Sequence, residues 1–150
     1  MVLISSSPEE TRTIGEEIGR TLGPGTVVCL YGELGVGKTC LIQGLARGLG
    51  VKEEREVKSP TFVLIREYEG TFPIYHFDLY RIESAQELEG LGYEEYFYGR
   101  GVTLIEWADR LEEQLPPDRI EIHLTFLEED RRRIEVIEQG SRGKAGNLIS

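Results

Sequence analysis

Apolar positions recur along this chain with two different periods, and each change of period marks an element. Ile14, Ile18 and Leu22 repeat every four residues, the stripe of an amphipathic helix. Ser7-Pro8-Glu9-Glu10 ahead of that stripe is a capping box. The serine side chain can cap a free N–H, proline suits the first helical position, and Glu10 reaches back. Gly23-Pro24-Gly25 ends the helix. Residues 26–31 form a short apolar, β-branched run, which predicts a buried strand. After a glycine-rich turn, Leu41, Ile42, Leu45 and Leu49 return to helical spacing as far as Gly50.

Residues 51–60 are polar and charged and read as a loop. Two extended segments follow, at 62–68 and 72–80, separated by Glu69-Gly70-Thr71. A second capping box, Ser84-Ala85-Gln86-Glu87, starts a short helix. The aromatic stretch 93–98 fits helix or strand equally. Residues 101–107 predict another buried strand, with Glu106 at its end. Residues 108–114 read as helical before Pro116-Pro117 stops them. Segments 119–127 and 133–137 alternate apolar and polar residues, so they predict a closing antiparallel pair that turns at Glu128-Glu129-Asp130. The tail 140–150 lacks a packing stripe and reads as mobile. With no internal repeat and no linker, residues 1–139 make one mixed α/β domain.

Composition narrows the chemistry. The 150 residues are enough for one domain. Acidic residues outnumber basic ones 27 to 17, for a net charge of −10. Such a chain is poorly suited to gripping a nucleic-acid backbone unaided, because phosphate contacts need a positive face. The first ten residues lack the pattern of a secretory signal, and no run approaches 18 apolar residues, so the expectation is a cytoplasmic chain without membrane spans. Cys29 and Cys40 are the only cysteines, and His76 and His123 stand apart from them in sequence. That spacing predicts two reduced thiols in or near a core, with neither a disulfide framework nor a zinc site.

One segment carries specific chemistry. Gly32-Glu33-Leu34-Gly35-Val36-Gly37-Lys38-Thr39 matches G-x-x-x-x-G-K-[ST], the phosphate-binding P-loop, with a predicted strand before it and a predicted helix after. Its glycines let successive N–H groups turn inward toward phosphate oxygens. The helix that follows adds its positive N-terminal end. Lys38 would reach the β- and γ-phosphates, and Thr39 would offer its hydroxyl to Mg²⁺. The N–H groups of Thr39 and Cys40 would lie near the α- and β-phosphates.

A P-loop needs acids to complete its metal chemistry, and two apolar runs end in one, at Asp78 and at Glu106. One acid would hold Mg²⁺ directly or through water, the other would orient the attacking water, and the sequence alone leaves the assignment open. Thr61, in Ser59-Pro60-Thr61-Phe62, is placed to sense a γ-phosphate as a switch element does. The guanine-reading [NT]-K-x-D motif is absent around Lys38, Lys52, Lys58 and Lys144, so ATP is the expected nucleotide.

Taken together, G-E-L-G-V-G-K-T (32–39), S-P-T-F (59–62), H-F-D-L-Y-R (76–81) and E-W (106–107) resemble the bacterial TsaE family, over residues 5 to 138. The resemblance implies a single-domain P-loop NTPase-like three-layer sandwich, with a mixed, mainly parallel sheet and an antiparallel C-terminal strand pair. It also implies an ATPase that supports threonylcarbamoyladenosine modification of tRNA beside the anticodon. Its partners would be TsaD and TsaB, and it would meet tRNA only through their complex. Carried over by position, Thr39 and Glu106 would ligate Mg²⁺, Asp78 would stand near the hydrolytic water, and Thr61 would contact the γ-phosphate. Thr11 would lie near the base, with Arg133 a further candidate for that pocket. His76, Tyr80, Arg81 and Trp107 belong to the motifs without assigned roles. Two other readings share the loop: a small-molecule kinase, against which stands the lack of a lid-sized insertion, and a binding module gated by nucleotide.

Overall fold

The structure, a computed structural model, describes residues 1–33, 37–51, 65–79, 84–90, 92–108 and 113–140. Its elements are β1 (Val2–Ser5), α1 (Pro8–Gly19), β2 (Val27–Tyr31), α2 (Lys38–Gly48), β3 (Ile65–Glu69), β4 (Pro73–Asp78), α3 (Ala85–Gly90), α4 (Tyr93–Phe97), β5 (Val102–Glu106), β6 (Ile120–Phe126) and β7 (Arg132–Glu138). The strands form one mixed sheet in the order β1-β7-β6-β2-β5-β4-β3. At its centre β6, β2, β5 and β4 run parallel, while β3 and β7 run against their neighbours. Because β1 opposes β7, it runs with the central four. The sheet is therefore mostly unidirectional and closes on the expected antiparallel β6–β7 pair.

Side-chain alternation along the strands divides the core into two layers. Val28 and Leu30 of β2, Val102 and Leu104 of β5, and Ile120, Ile122 and Leu124 of β6 pack with Ile18, Leu41, Leu45 and Leu49 from α1 and α2. On the opposite face Val27, Cys29, Phe77 and Ile105 pack with Phe97 of α4. The result is a three-layer α/β domain. The continuous apolar runs of β2 and β5 are explained by this burial on both sides.

Local chemistry behaves largely as the sequence predicts. Ser7 caps α1, its Oγ accepting from the Glu10 N–H at 3.1 Å, with proline at the first position. The Glu10 carboxylate accepts from the N–H of Ser6 at 2.9 Å, one residue further back than the standard box. Ser84 accepts from the Glu87 N–H. The ambiguous aromatic stretch is helical as α4, because Tyr96 and Phe97 thereby reach Phe77 and Tyr75 beneath them. Both cysteines are free thiols, Cys29 buried and Cys40 half-buried. Burial pushes the Cys29 thiol up to about 12.

One element goes beyond the sequence reading. β1 is a four-residue edge strand whose pairing runs from Val2↔Glu135 to Ser5↔Arg132. Nothing local announces it, since its partner lies at the other end of the chain. The loop 52–60, the start of the first extended segment, most of the helix expected at 108–114 and the tail 141–150 lie outside the described residues.

Candidate nucleotide-binding site

Strand β2 ends at Tyr31, and the chain passes from there into the glycine-rich segment at the C-terminal edge of the parallel strands, the edge where open α/β sheets place ligands. Gly37 is the N-cap of α2 with φ of 109°, a left-handed conformation that a side chain would strain. Lys38, Thr39 and Cys40 form the first turn of the helix, so their N–H groups belong to its open, positive end. Lys38 is only 5% exposed. Its Nζ donates to the carbonyl of Gly32 at 2.7 Å and sits 3.6 Å from the ring centroid of Trp107. Trp107 itself has φ of 60°, a sparsely populated region for a bulky residue. Glu33 and Thr39 are exposed at the mouth of this region, while Leu34, Gly35, Val36 and Thr61 lie outside the described residues.

The two acids meet on neighbouring strands. Asp78 and Glu106 are register partners across β4 and β5, and Glu106 is also the partner of Leu30 on β2. Glu106 thus ends the strand beside the one that feeds the loop. His76, two residues before Asp78 and so on the same face of β4, contacts Glu106 through Nε2···Oε2 at 2.7 Å. His76 is buried, and its Nδ1 has no hydrogen-bond partner among the described residues. His76 carries no assigned role in the motif reading. Its parity with Asp78 was the available signal.

A pocket of about 200 Å³ opens beside the loop, lined by Ser7, Pro8, Thr11, Gly37, Cys40, Asp130 and Arg132. It exists because α1 and α2 lie parallel and almost touch. A Cβ on Gly44 would fall 2.2 Å from the Arg12 carbonyl oxygen, and one on Gly48 would fall 2.2 Å from that of Glu16. Gly15 and Gly19 approach Leu41 and Leu45 in the same way. Arg12 Nε also donates to Gln43 Oε1 at 3.0 Å. Both helix N-termini therefore point into one space. Thr11 lines that pocket, its hydroxyl engaged by Ser5 Oγ at 2.7 Å and the Ser7 carbonyl. Arg133 does not line it. Ile134 and Val136 of β7 face the helices, so Arg132 shares their side, and Arg133 turns to the opposite face and donates to Glu135 at 3.3 Å.

The donor set bears on the metal. Among the described residues no cluster of three or more His, Cys, Asp or Glu side chains could hold an ion alone. Two adjacent carboxylates and a threonine hydroxyl are hard oxygen donors, too few for a cage built by protein alone. Such a set fits Mg²⁺, which is held by one or two carboxylates together with substrate phosphates.

Comparison with known proteins places this geometry. The model of the family called threonylcarbamoyl adenosine biosynthesis protein TsaE matches residues 5–134. The chain belongs to the TsaE family. It is 46% identical over 137 residues to the tRNA threonylcarbamoyladenosine biosynthesis protein TsaE of Bacillus subtilis, spanning 91% of this chain and 84% of that one. It is 42% identical over 136 residues to the family member of Treponema pallidum, spanning 91% and 99%. The crystal structure of Bacillus subtilis YdiB superimposes with a TM-score of 0.79 at 36% identity, covering 97% of this chain and 89% of that one. The fold and family anticipated from the motifs are thus established. Among the described residues, no helix is long and apolar enough to cross a membrane.

Proposed function

We propose that this chain is a cytoplasmic, Mg²⁺-dependent ATPase that acts as an accessory subunit in threonylcarbamoyladenosine modification of tRNA next to the anticodon. It works with the TsaB–TsaD heterodimer, supports the turnover of that complex, and meets tRNA through it. One observation carries the reading: the buried Lys38 and the open end of α2 share a sheet edge with the register-paired Asp78 and Glu106.

In this reading the N–H groups of residues 33–40 cradle the phosphates, and the Lys38 ammonium neutralises charge on their β- and γ-oxygens. Thr39 and Glu106 hold Mg²⁺, which offsets the charge that develops on the transferring phosphoryl group. Asp78 orients the attacking water, and Thr61 contacts the γ-phosphate. His76 fixes the rotamer of Glu106 through its short hydrogen bond. Thr11, with Arg132 in place of Arg133, borders the pocket for the base. The net charge of −10 suits a subunit that reaches RNA through other proteins.

The test is phosphate release from ATP by the purified chain, alone and with TsaB–TsaD, together with retention on that pair. Turnover is slow alone and rises with the pair, and retention requires ATP. Absence of hydrolysis in both settings, or failure to be retained with ATP present, overturns the reading. Rapid transfer of phosphate to a metabolite would instead favour the kinase alternative.

A further inference from the structure

Glu106 has one of its two carboxylate oxygens engaged within the protein. Its Oε2 lies 2.7 Å from His76 Nε2, and among the described residues the carboxylate makes no other hydrogen bond or ion pair. The contact is diagonal, because His76 is the register partner of Leu104 and Glu106 that of Asp78. The carboxylate is thus drawn back along the sheet, toward its buried middle. The two side chains are only 8% and 14% exposed, so little water competes for the bond. His76 Nδ1 is buried with no partner among the described residues, and a proton there would be a donor with no acceptor. The ring hydrogen therefore belongs on Nε2, which donates to Oε2. Oε1 is the oxygen left for a cation.

We propose that His76 sets the ion preference of the nucleotide site. By holding Oε2 it limits Glu106 to one ligating oxygen, and this favours Mg²⁺ over Ca²⁺. The proposal rests on the nucleotide reading above and extends it. Mg²⁺ takes about six ligands at about 2.0–2.1 Å in near-ideal octahedral geometry, and a single carboxylate oxygen fits one corner. Ca²⁺ takes about six to eight oxygens at about 2.3–2.6 Å and readily accepts both oxygens of one carboxylate. With Oε2 held, the larger ion loses a ligand that the smaller ion does not use. His76 acts through Glu106, as a positioning residue.

The experiment measures binding of the non-hydrolysable ATP analogue adenylyl imidodiphosphate by calorimetry, with Mg²⁺, with Ca²⁺ and with EDTA. Circular dichroism checks the fold of each variant. Every variant meets the same two metal–analogue complexes, so the stabilities of the complexes themselves cancel in the comparison. The unaltered chain prefers the Mg²⁺ complex. In His76→Leu that preference falls by about tenfold, the lower end of what loss of a partner behind a metal ligand does. His76→Gln, whose amide can donate from near the place of Nε2, keeps most of it. A purely structural role weakens both complexes equally, and that result in a folded His76→Leu overturns the proposal. Equal binding of the two complexes by the unaltered chain overturns it as well, whatever the variants do. Should His76→Leu fail to fold, His76→Asn, whose amide falls short of Oε2, replaces it with the same expectation. Binding in EDTA as tight as with Mg²⁺ overturns the metal assignment and the preference with it. Absence of analogue binding in every condition overturns the nucleotide reading itself.

Discussion

Across the sheet from the glycine-packed pair α1 and α2, the five-residue α4 covers β4 and β5 with interlocking rings. Tyr75 meets Tyr96 edge-on at 4.8 Å, and Phe77 meets Phe97 at 5.5 Å. The two layers hold the same sheet by opposite means. Backbone-to-backbone contact fixes position to within a fraction of an ångström and has no space for an added atom. Ring contact fills volume and can readjust when one ring changes. The layer that carries α2 and the pocket is the one built without slack. The other layer ends in surface features such as Tyr98, 65% exposed.

Substitutions on each face should separate the two kinds of packing. The largest effect is expected for Lys38→Ala, which should weaken ATP binding by about a hundredfold, as truncation of a buried charged contact does, without lowering the Tm. Isothermal titration calorimetry beside a thermal scan checks both halves. Gly44→Ala places a methyl against the Arg12 carbonyl. It should cost about 3 kcal/mol and lower the Tm by about 6 to 12 °C, with a loss of ATP affinity as the two helix ends part. Phe97→Leu, on the ring-packed face, should cost about 1 kcal/mol and leave ATP affinity unchanged. Equal losses of affinity in the last two variants would show that the faces are not distinct in this way.

The smallest effect concerns Cys29, on the same face as Phe97. Burial pushes its thiol from the ordinary 9.0 up to about 12. The native state keeps a proton that the unfolded chain gives up above pH 9, so this group makes stability fall as pH rises from about 9 toward 12. The slope approaches about 1.4 kcal/mol per pH unit. Denaturant midpoints measured across that range should lose this component in Cys29→Ala.

Much of this architecture could be read from short-range pattern. The capping boxes at Ser7 and Ser84, the apolar runs of β2 and β5, and the strand–loop–helix setting of Lys38 each depend on residues a few positions apart. What escaped the sequence depends on distance. β1 is a strand only because β7 lies beside it, with 126 residues between Ser5 and its partner Arg132. The aromatic stretch at 93–97 could not be assigned without Phe77 and Tyr75 beneath it. Arg132 and His76 are different, because a period of two decides both. Arg132 shares the parity of Ile134 and Val136, and His76 shares that of Asp78, so the strand pattern already contained their placement. The parallel approach of α1 and α2 was not legible, since glycines spaced by four show where helices can touch without showing which way they run.

That seam has a mechanical consequence. Gly15 and Gly19 on one helix, and Gly44 and Gly48 on the other, are each spaced by four residues, so the contact works like teeth on a rack. No rotamer change can absorb a small slip, because the touching atoms are backbone. α1 can be displaced along α2 only by lifting off and re-engaging about one turn away, roughly 5.4 Å. The spacing between the pocket wall at Thr11 and Lys38 at the head of α2 is thereby indexed in whole turns rather than continuously adjustable.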